Sequence, residues 1–219
     1  MTASCCVKDE AGSWQGLHPA EGEVYSPRMR KRELRKAILA ARDELSREEI
    51  SRLSREIQER LFRQEAFQKA RTILFFHTMG SEVDTCPMIS GALEAGKRVA
   101  LPRVASEGRL EVREIGRGQK LVPGPMGILE PGGDCPLVPD DVIDLVIVPA
   151  VAWDKEGYRT GYGGGYYDRL LARLKGAAQI GIGFQLQVVE QVPRQSHDLP
   201  VHLLITEAEV RDFRKKGAC

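Results

Sequence analysis

Apolar residues recur at helical spacing from the first ordered-looking stretch of the chain. Leu34, Ala37, Ile38, Ala41 and Leu45 form one stripe, which predicts a helix from about Arg30 to Glu44. Lys31, Arg35 and Arg42 share a column along the edge of that stripe, where stems pack on the core rim and charged heads reach beyond it. Ser46 and Glu49 have capping-box spacing and start a second helix. Ile50, Leu53, Ile57 and Leu61 continue its buried face to about Phe67. The next pattern is different: Thr72–Phe76 is continuously apolar and short, a buried strand, followed by a loop over 77–84. Thr85 and Pro87 open a helix carrying Met88, Ile89, Ala92 and Leu93, and Gly96 closes it.

Arg98–Leu101 reads as a strand stopped by Pro102, and Arg109–Ile115 alternates as a half-exposed strand does. Residues 116–140, rich in Gly and Pro, read as a long ordered loop. Ile143–Val148 is a second fully apolar strand. Tyr166–Leu174 is helical and ends at Gly176. Gln179–Phe184 is a strand, Gln185–Val192 a short helix, and Leu203–Thr206 a last strand before a polar end. Helices alternating with apolar strands predict an α/β fold of three layers, with a mainly parallel sheet covered on both faces. Ligands of such sheets lie at the carboxyl ends of strands, where the loops 77–84, 102–108, 149–165 and 185–202 are expected to meet. One catalytic domain over 28–212 is expected, with a disordered tail at 1–27 and a short C-terminal tail at 213–219. Met29 directly precedes the first helical pattern and is a candidate biological start.

Composition narrows the class. The 219 residues are 42% apolar and 29% charged, with a net charge of +1, so nothing global argues for nucleic acid. Between Arg28 and Arg71 fourteen basic residues face eight acidic ones, a modest positive field on that face. No apolar run approaches the ~20 residues of a membrane span. The first 25 residues lack a secretory apolar core and contain Asp9, Glu10, Glu21 and Glu23, unlike a transit peptide. Five cysteines without a C-x-x-C fit a reducing compartment, hence a cytoplasmic location.

The chemistry concentrates in one segment. Gly161, Gly163, Gly164 and Gly165 fall within five positions and lead into the Tyr166 helix. A glycine-rich turn that feeds a helix N-terminus turns backbone N–H groups toward an anion, commonly phosphate. Asp168, in the first turn of that helix, suits either the helix end or a metal carried on phosphates. The segment is no Walker loop, because G-x-x-x-x-G-K-[ST] is absent. It is no dinucleotide fingerprint either. Tyr166 occupies the sixth position, and the turn does not directly follow a strand. Neither H-E-x-x-H nor G-x-S-x-G occurs.

Three stretches form a specific composite: Val148-Pro-Ala-Val-Ala-Trp-Asp154, Gly157-Tyr-Arg159, and Gly161-Tyr-Gly-Gly-Gly-Tyr-Tyr-Asp-Arg169. Lys31-Arg-Glu-Leu-Arg35, Ser81-Glu-Val-Asp-Thr85, Leu101-Pro-Arg103, Gly127-Ile-Leu-Glu-Pro131 and His197-Asp198 surround it in order. Over about residues 29–207 the chain resembles the 5-formyltetrahydrofolate cyclo-ligase, or methenyltetrahydrofolate synthetase, family. That resemblance implies a sheet like that of sugar-phosphate isomerases and CoA transferases. It implies a reaction of ATP with 5-formyltetrahydrofolate to give 5,10-methenyltetrahydrofolate, ADP and phosphate, with Mg2+, in a monomer without membrane or nucleic-acid partners. It assigns ATP contacts to Lys31, Arg32, Glu33, Leu34 and Arg35, and to Arg159, Thr160, Gly161, Tyr162, Gly163, Gly164, Gly165, Tyr166 and Tyr167. Among these, Lys31 and Arg159, with Asp168, are expected to be catalytic. It assigns folate contacts to Arg35, His77, Met79, Glu82 and Tyr166, and metal contacts to Asp168 and Asp198. Arg103 and Glu130 are expected at the rim, and Trp153, where the family usually has phenylalanine, in the core or a pocket wall. Tyr162 and Gly164 replace basic or polar residues of many relatives, and His202 stands where relatives often have Asp, which raises a question about metal binding. A sugar-phosphate isomerase-like enzyme on the same architecture and a non-catalytic folate- or nucleotide-binding paralogue are the alternatives.

Overall fold

The computed structural model describes residues 31–105, 108–194 and 198–214, with Met126 in its backbone only. The expected tail at 1–27, the candidate start Met29, His197 and residues 215–219 lie outside the described residues. The first helix, α1 (Lys31–Asp43), and α2 (Arg47–Phe62) follow the apolar stripes, and the Ser46–Glu49 capping box forms in both directions. The second helix does not run on to Phe67. It ends at Arg63, and a separate turn, α3 (Glu65–Lys69), follows. A continuous helix would turn Phe67 about 120° away from the face of Leu61. The break instead lets the Phe67 ring stack on Phe62, with centroids 4.4 Å apart.

Strand β1 (Thr72–Leu74) precedes α4 (Cys86–Glu94), β2 (Arg98–Val104) and β3 (Leu110–Ile115). Pro102 does not end β2. It lies past the end of β1, which pairs with β2 only as far as Ala100, and it faces Val112 of β3. The expected loop at 116–140 contains a hairpin, β4 (Leu121–Pro123) and β5 (Leu129–Pro131). Then come β6 (Leu145–Val148), β7 (Ala152–Asp154), β8 (Arg159–Thr160), α5 (Tyr166–Arg173), β9 (Ala178–Ile182), β10 (Val188–Val189), β11 (Leu203–Ile205) and β12 (Val210–Asp212). Where a short helix was expected at Gln185–Val192, a 3-10 turn at Gln185–Gln187 leads into β10.

The main sheet has seven strands in the order β12-β11-β9-β6-β1-β2-β3. Its five central strands are parallel and its two edge strands antiparallel. Alternate side chains enter opposite layers, as the pleat requires. Leu145 and Ile147 face the cluster built with Leu53, Ile57 and Met88, while Val146 and Val148 face Leu170, Leu171 and Leu174 of α5. Both faces are therefore covered, as the apolar strand composition predicts. Trp153 is fully buried, and its Nε1–H donates to the Ile182 carbonyl at 3.3 Å. Its indole lies so close to Gly181 that a Cβ there would sit 2.4 Å from the ring, so this tryptophan is core and not pocket wall.

A second sheet, β10-β7-β8, sits beyond the carboxyl ends of β6 and β9. Leu34 and Ile38 of α1 pack on it through Val151, Ala152, Val189 and Val192. The small sheet thus carries α1 and its basic column to the edge where parallel strands end. Phe213, expected in the C-terminal tail, is joined to the domain by its N–H bond to the His202 carbonyl at 2.9 Å.

His202 lies at the start of β11, away from Asp168. Its N–H donates to Gln179 O at 2.9 Å, and its Nδ1 accepts from Gln179 N at 3.0 Å. A carboxylate oxygen could serve the same acceptor role. Burial, helped by Arg214 and opposed by Asp212, holds this imidazole below its ordinary value of 6.5. A basic group with a depressed folded pKa contributes stability that is fully present above 6.5 and is lost as pH falls through the lower folded value. The stability of the wild type relative to His202→Asn, which keeps a neutral acceptor, is expected to fall between pH 7 and pH 5. Urea denaturation at each pH checks this, and a constant difference would contradict it.

Candidate active site

Three loops converge above the sheet: 77–84 after β1, the segment 149–165 after β6, and the turn after β9. The Gly-rich segment leaves β8 at Thr160 and enters α5 through Gly165, the N-cap residue. Gly163 has φ +109° and Gly165 φ +64°, a left-handed backbone that other residues rarely adopt. This is the local reason the cradle needs glycine at those two positions. Gly164 is confined for another reason: a Cβ there would meet the Tyr166 ring at 2.7 Å.

Helix α1 fastens the cradle from one side. Arg35 Nε donates to the Gly161 carbonyl at 2.6 Å, and its guanidinium lies 3.5 Å from where a Cβ on Gly163 would be. One turn earlier, Lys31 Nζ pairs with Asp198 at 3.4 Å. On the other side Arg159 donates to Asp168 Oδ1 at 2.5 Å and to the Leu199 carbonyl at 3.3 Å. The Arg159 side chain is 7% exposed, that of Asp168 47%. Burial lowers the Arg159 pKa, while Asp168, Asp198 and Tyr167 act against it. Two cations and two carboxylates thus stand in one charge-balanced group.

The loop after β1 supplies the second half. Glu82 is buried at 6% exposure. Its Oε2 accepts from the Met79 N–H at 2.9 Å and its Oε1 from the Tyr162 hydroxyl at 2.7 Å. Burial pushes this carboxyl above the usual range, against the Tyr162 bond, Arg42 and the Met79 N–H. Arg42, also buried, donates from Nη2 to the Tyr162 hydroxyl at 2.9 Å and from Nε to Ser81 Oγ at 3.0 Å. Its Nη1 has no partner among the described residues, and Arg42, with Glu82, Phe76 and Ala150, lines a hollow of about 10 Å³. That space is about the size of one water molecule. The Tyr167 hydroxyl is likewise buried without a partner among the described residues, and burial, with Glu82 nearby, raises its pKa.

The model of the 5-formyltetrahydrofolate cyclo-ligase family matches residues 27–207. The chain belongs to this family. It is 34% identical over 149 residues to the 5-formyltetrahydrofolate cyclo-ligase of Escherichia coli strain K12, covering 66% of this chain and 82% of that one. The mouse cyclo-ligase is 27% identical over 189 residues, 81% of this chain and 93% of that one. Among solved structures, the Aquifex aeolicus 5,10-methenyltetrahydrofolate synthetase superposes with a TM-score of 0.77 at 37% identity, over 87% of this chain and 96% of that one. The Mycoplasma pneumoniae synthetase gives 0.65 at 26% identity, over 82% and 99%.

Most residues singled out by the cyclo-ligase resemblance meet around this cleft, with exceptions. Leu34 is 1% exposed and belongs to the core under α1, so its side chain points away from the cleft. Arg32 and Glu33 are on the exposed side of α1. Thr160 is buried with its hydroxyl unpartnered among the described residues. His77 is half-buried, with Nδ1 3.2 Å from the Thr78 carbonyl and Nε2 3.8 Å from Cys86 Sγ. Tyr166 packs partly into the α5 core cluster, with the Arg169 guanidinium 5.3 Å from its ring centroid. Arg169 bonds the Gly164 and Gly108 carbonyls at 3.0 Å. Glu130, expected at the rim, is buried against Gly124, while Arg103 lies close to Gly133. Arg42 was legible only as the third member of a basic column. Its link to Glu82 runs through Tyr162, 120 residues away, and no local pattern announces it.

Among the described residues no group of three or more His, Cys, Asp or Glu side chains is arranged to hold a metal. Asp168 and Asp198 flank Arg159 as a pair. This donor set fits Mg2+, which takes one or two carboxylates and completes its shell with phosphates and water, better than a self-contained protein cage. Asp168→Ala removes the carboxylate bonded to the largely buried Arg159 guanidinium and is expected to cost about 1–3 kcal/mol of stability. Asp168→Asn, which keeps an acceptor, is expected to cost less. Thermal denaturation of the two variants checks this ordering.

Proposed function

We propose that the protein catalyses the cyclisation for which its family is named, converting 5-formyltetrahydrofolate to 5,10-methenyltetrahydrofolate with cleavage of ATP. The observation that carries this reading is the joint position of the glycine cradle, the α1 cations and the buried Glu82 around one cleft of a family member. A formamide oxygen is a poor leaving group. Its attack on the γ-phosphorus of ATP, with departure of ADP, converts it to a phosphate ester of an iminium. Attack by folate N10 on the formyl carbon then closes the ring, N10 gives its proton to solvent, and the phosphate departs with the former formyl oxygen. Such chemistry asks a protein for positioning and charge neutralisation, without a protein nucleophile.

In this reading Lys31, Arg35 and Arg159 supply positive charge and the cradle supplies backbone N–H groups for the triphosphate. The ion pairs Lys31–Asp198 and Arg159–Asp168 hold the cations in place before a nucleotide arrives. Phosphate oxygens would then take over the cations and free the carboxylates. Asp168 and Asp198 are the groups that would hold Mg2+, which neutralises triphosphate charge when bound. Glu82 accepts from the pterin's N–H and amino donors, for which an acceptor-only carboxylate is the complementary group. Tyr166 lies where its ring can border either ligand, and the side chains of His77 and Met79 belong to the folate side. A cytoplasmic location fits the cysteine usage. No described helix is long and apolar enough to cross a membrane.

Mixing the protein with MgATP and 5-formyltetrahydrofolate is expected to produce the absorbance of the methenyl folate, and omitting ATP is expected to abolish it. An unchanged spectrum in the complete mixture would refute the activity. Lys31→Ala and Arg35→Ala each remove one charge-assisted contact, ~1.5–3 kcal/mol, and are expected to raise KM for ATP about tenfold to a hundredfold. Steady-state kinetics in ATP measures this. Wild-type values in both variants would exclude the α1 face from the nucleotide site.

A further inference from the structure

We infer that Tyr162, anchored by Arg42, couples the two substrate sites: its hydroxyl holds the folate acceptor Glu82 in the absence of folate, and folate binding displaces it and releases the glycine cradle. This rests on the proposed role of Glu82 and deepens it.

Four observations lead there. Tyr162 is the second residue of the cradle, yet its hydroxyl donates to Glu82 Oε1 at 2.7 Å, eighty residues away in sequence. The residue as a whole is 43% exposed. Partial burial holds the ring, and the polar bond at its tip fixes where the hydroxyl lies. That tip is held on both sides, since Arg42 Nη2 donates to the same oxygen at 2.9 Å. Finally, both Glu82 oxygens are engaged, one by Tyr162 and one by the Met79 N–H, and the residue is only 6% exposed. A pterin that donates to Glu82 competes with the tyrosine for a carboxylate with little room for a further donor.

The exchange is energetically balanced, because one neutral donor replaces another on the same carboxylate. A buried carboxylate left without its donor is costly, on the other hand, which explains why the free protein supplies one of its own. The bond to Glu82 ties down the cradle next to Gly163, a residue that without a Cβ can adopt more than one backbone path. Arg35, bonded to Gly161 O, holds the cradle one residue before the tyrosine and serves as the fixed end of that movement. Occupation of the folate site and rearrangement of the phosphate cradle are then one event. Linkage requires that each substrate change the binding of the other by the same factor.

Calorimetry of a non-hydrolysable ATP analogue with Mg2+, with and without saturating 5-formyltetrahydrofolate, measures that factor. In the wild type, nucleotide affinity is expected to rise about tenfold on adding folate, within the usual range of coupling between sites. In Tyr162→Phe, which keeps the ring and removes only the hydroxyl, the ratio of the two affinities is expected to fall close to one, whatever the absolute values. Equal ratios in wild type and Tyr162→Phe would overturn the inference, as would a wild-type ratio of one. Failure of the wild type to bind 5-formyltetrahydrofolate at all would instead refute the proposed function. A tyrosine that served only to stabilise the loop would change both nucleotide affinities equally and leave the ratio intact.

Discussion

The cleft depends on one charged group placed where water is scarce. Arg159 sits on β8, is 7% exposed, and reaches Asp168 on α5 and the carbonyl of Leu199. A buried guanidinium without partners costs several kcal/mol, so the chain must bring acceptors to it. Meeting that requirement joins a strand of the small sheet, the start of the helix after the cradle, and the segment before β11. The glycines between Arg159 and Asp168 are thereby pinned at both ends. A flexible backbone becomes a shaped one because its two flanking charges are paired across it.

The rest of the site follows the same economy of charge. Lys31 and Asp198, like Arg159 and Asp168, are held as pairs, so the cleft carries little net field yet keeps cations within reach of an anion. The Lys31–Asp198 pair, with its lysine partly exposed, is worth little as a stabilising contact. Its value is positional, because ion pairs at a cleft mouth exchange partners readily when a more highly charged ligand arrives. Glu82 and Arg42 obey a stricter rule. Both are buried, and both depend on the Tyr162 hydroxyl to satisfy part of their hydrogen-bonding capacity. The contrast separates an electrostatically adaptable half of the site from a half built on buried polar groups that share one hydroxyl.

Four residues that the sequence singled out acquire meaning only in this context. Tyr162, within the cradle, serves the opposite side of the cleft by donating to Glu82. Gly164 leaves room for the Tyr166 ring. His202 supplies the acceptor for the Gln179 N–H that joins the starts of β9 and β11. Trp153 fills the space that Gly181 and Gly183 leave open and adds a hydrogen bond to a strand carbonyl.

The helices α1, α2, α4 and α5 and the buried strands β1, β6 and β9 were legible along the chain, because their stability rests on apolar periodicities of their own. The glycine cradle was legible too, since left-handed backbone restricts residue choice locally. The short strands β4, β5, β7, β8, β10 and β12 were not. Two or three residues carry no period, and they are strands only because another part of the chain lies beside them. The end of α2 was misplaced for a related reason, namely that the Phe62–Phe67 stack is formed across the break. Sequence therefore determined the layers of the sheet, the conformation of the cradle and the family of the protein. Tertiary structure alone decided which acceptor each cation meets, that Leu34 faces the core, and that Tyr162 closes on Glu82. Hydrogen bonds between residues 80 to 167 positions apart leave no trace in local spacing, and their geometry exists only after the sheet has brought the loops together.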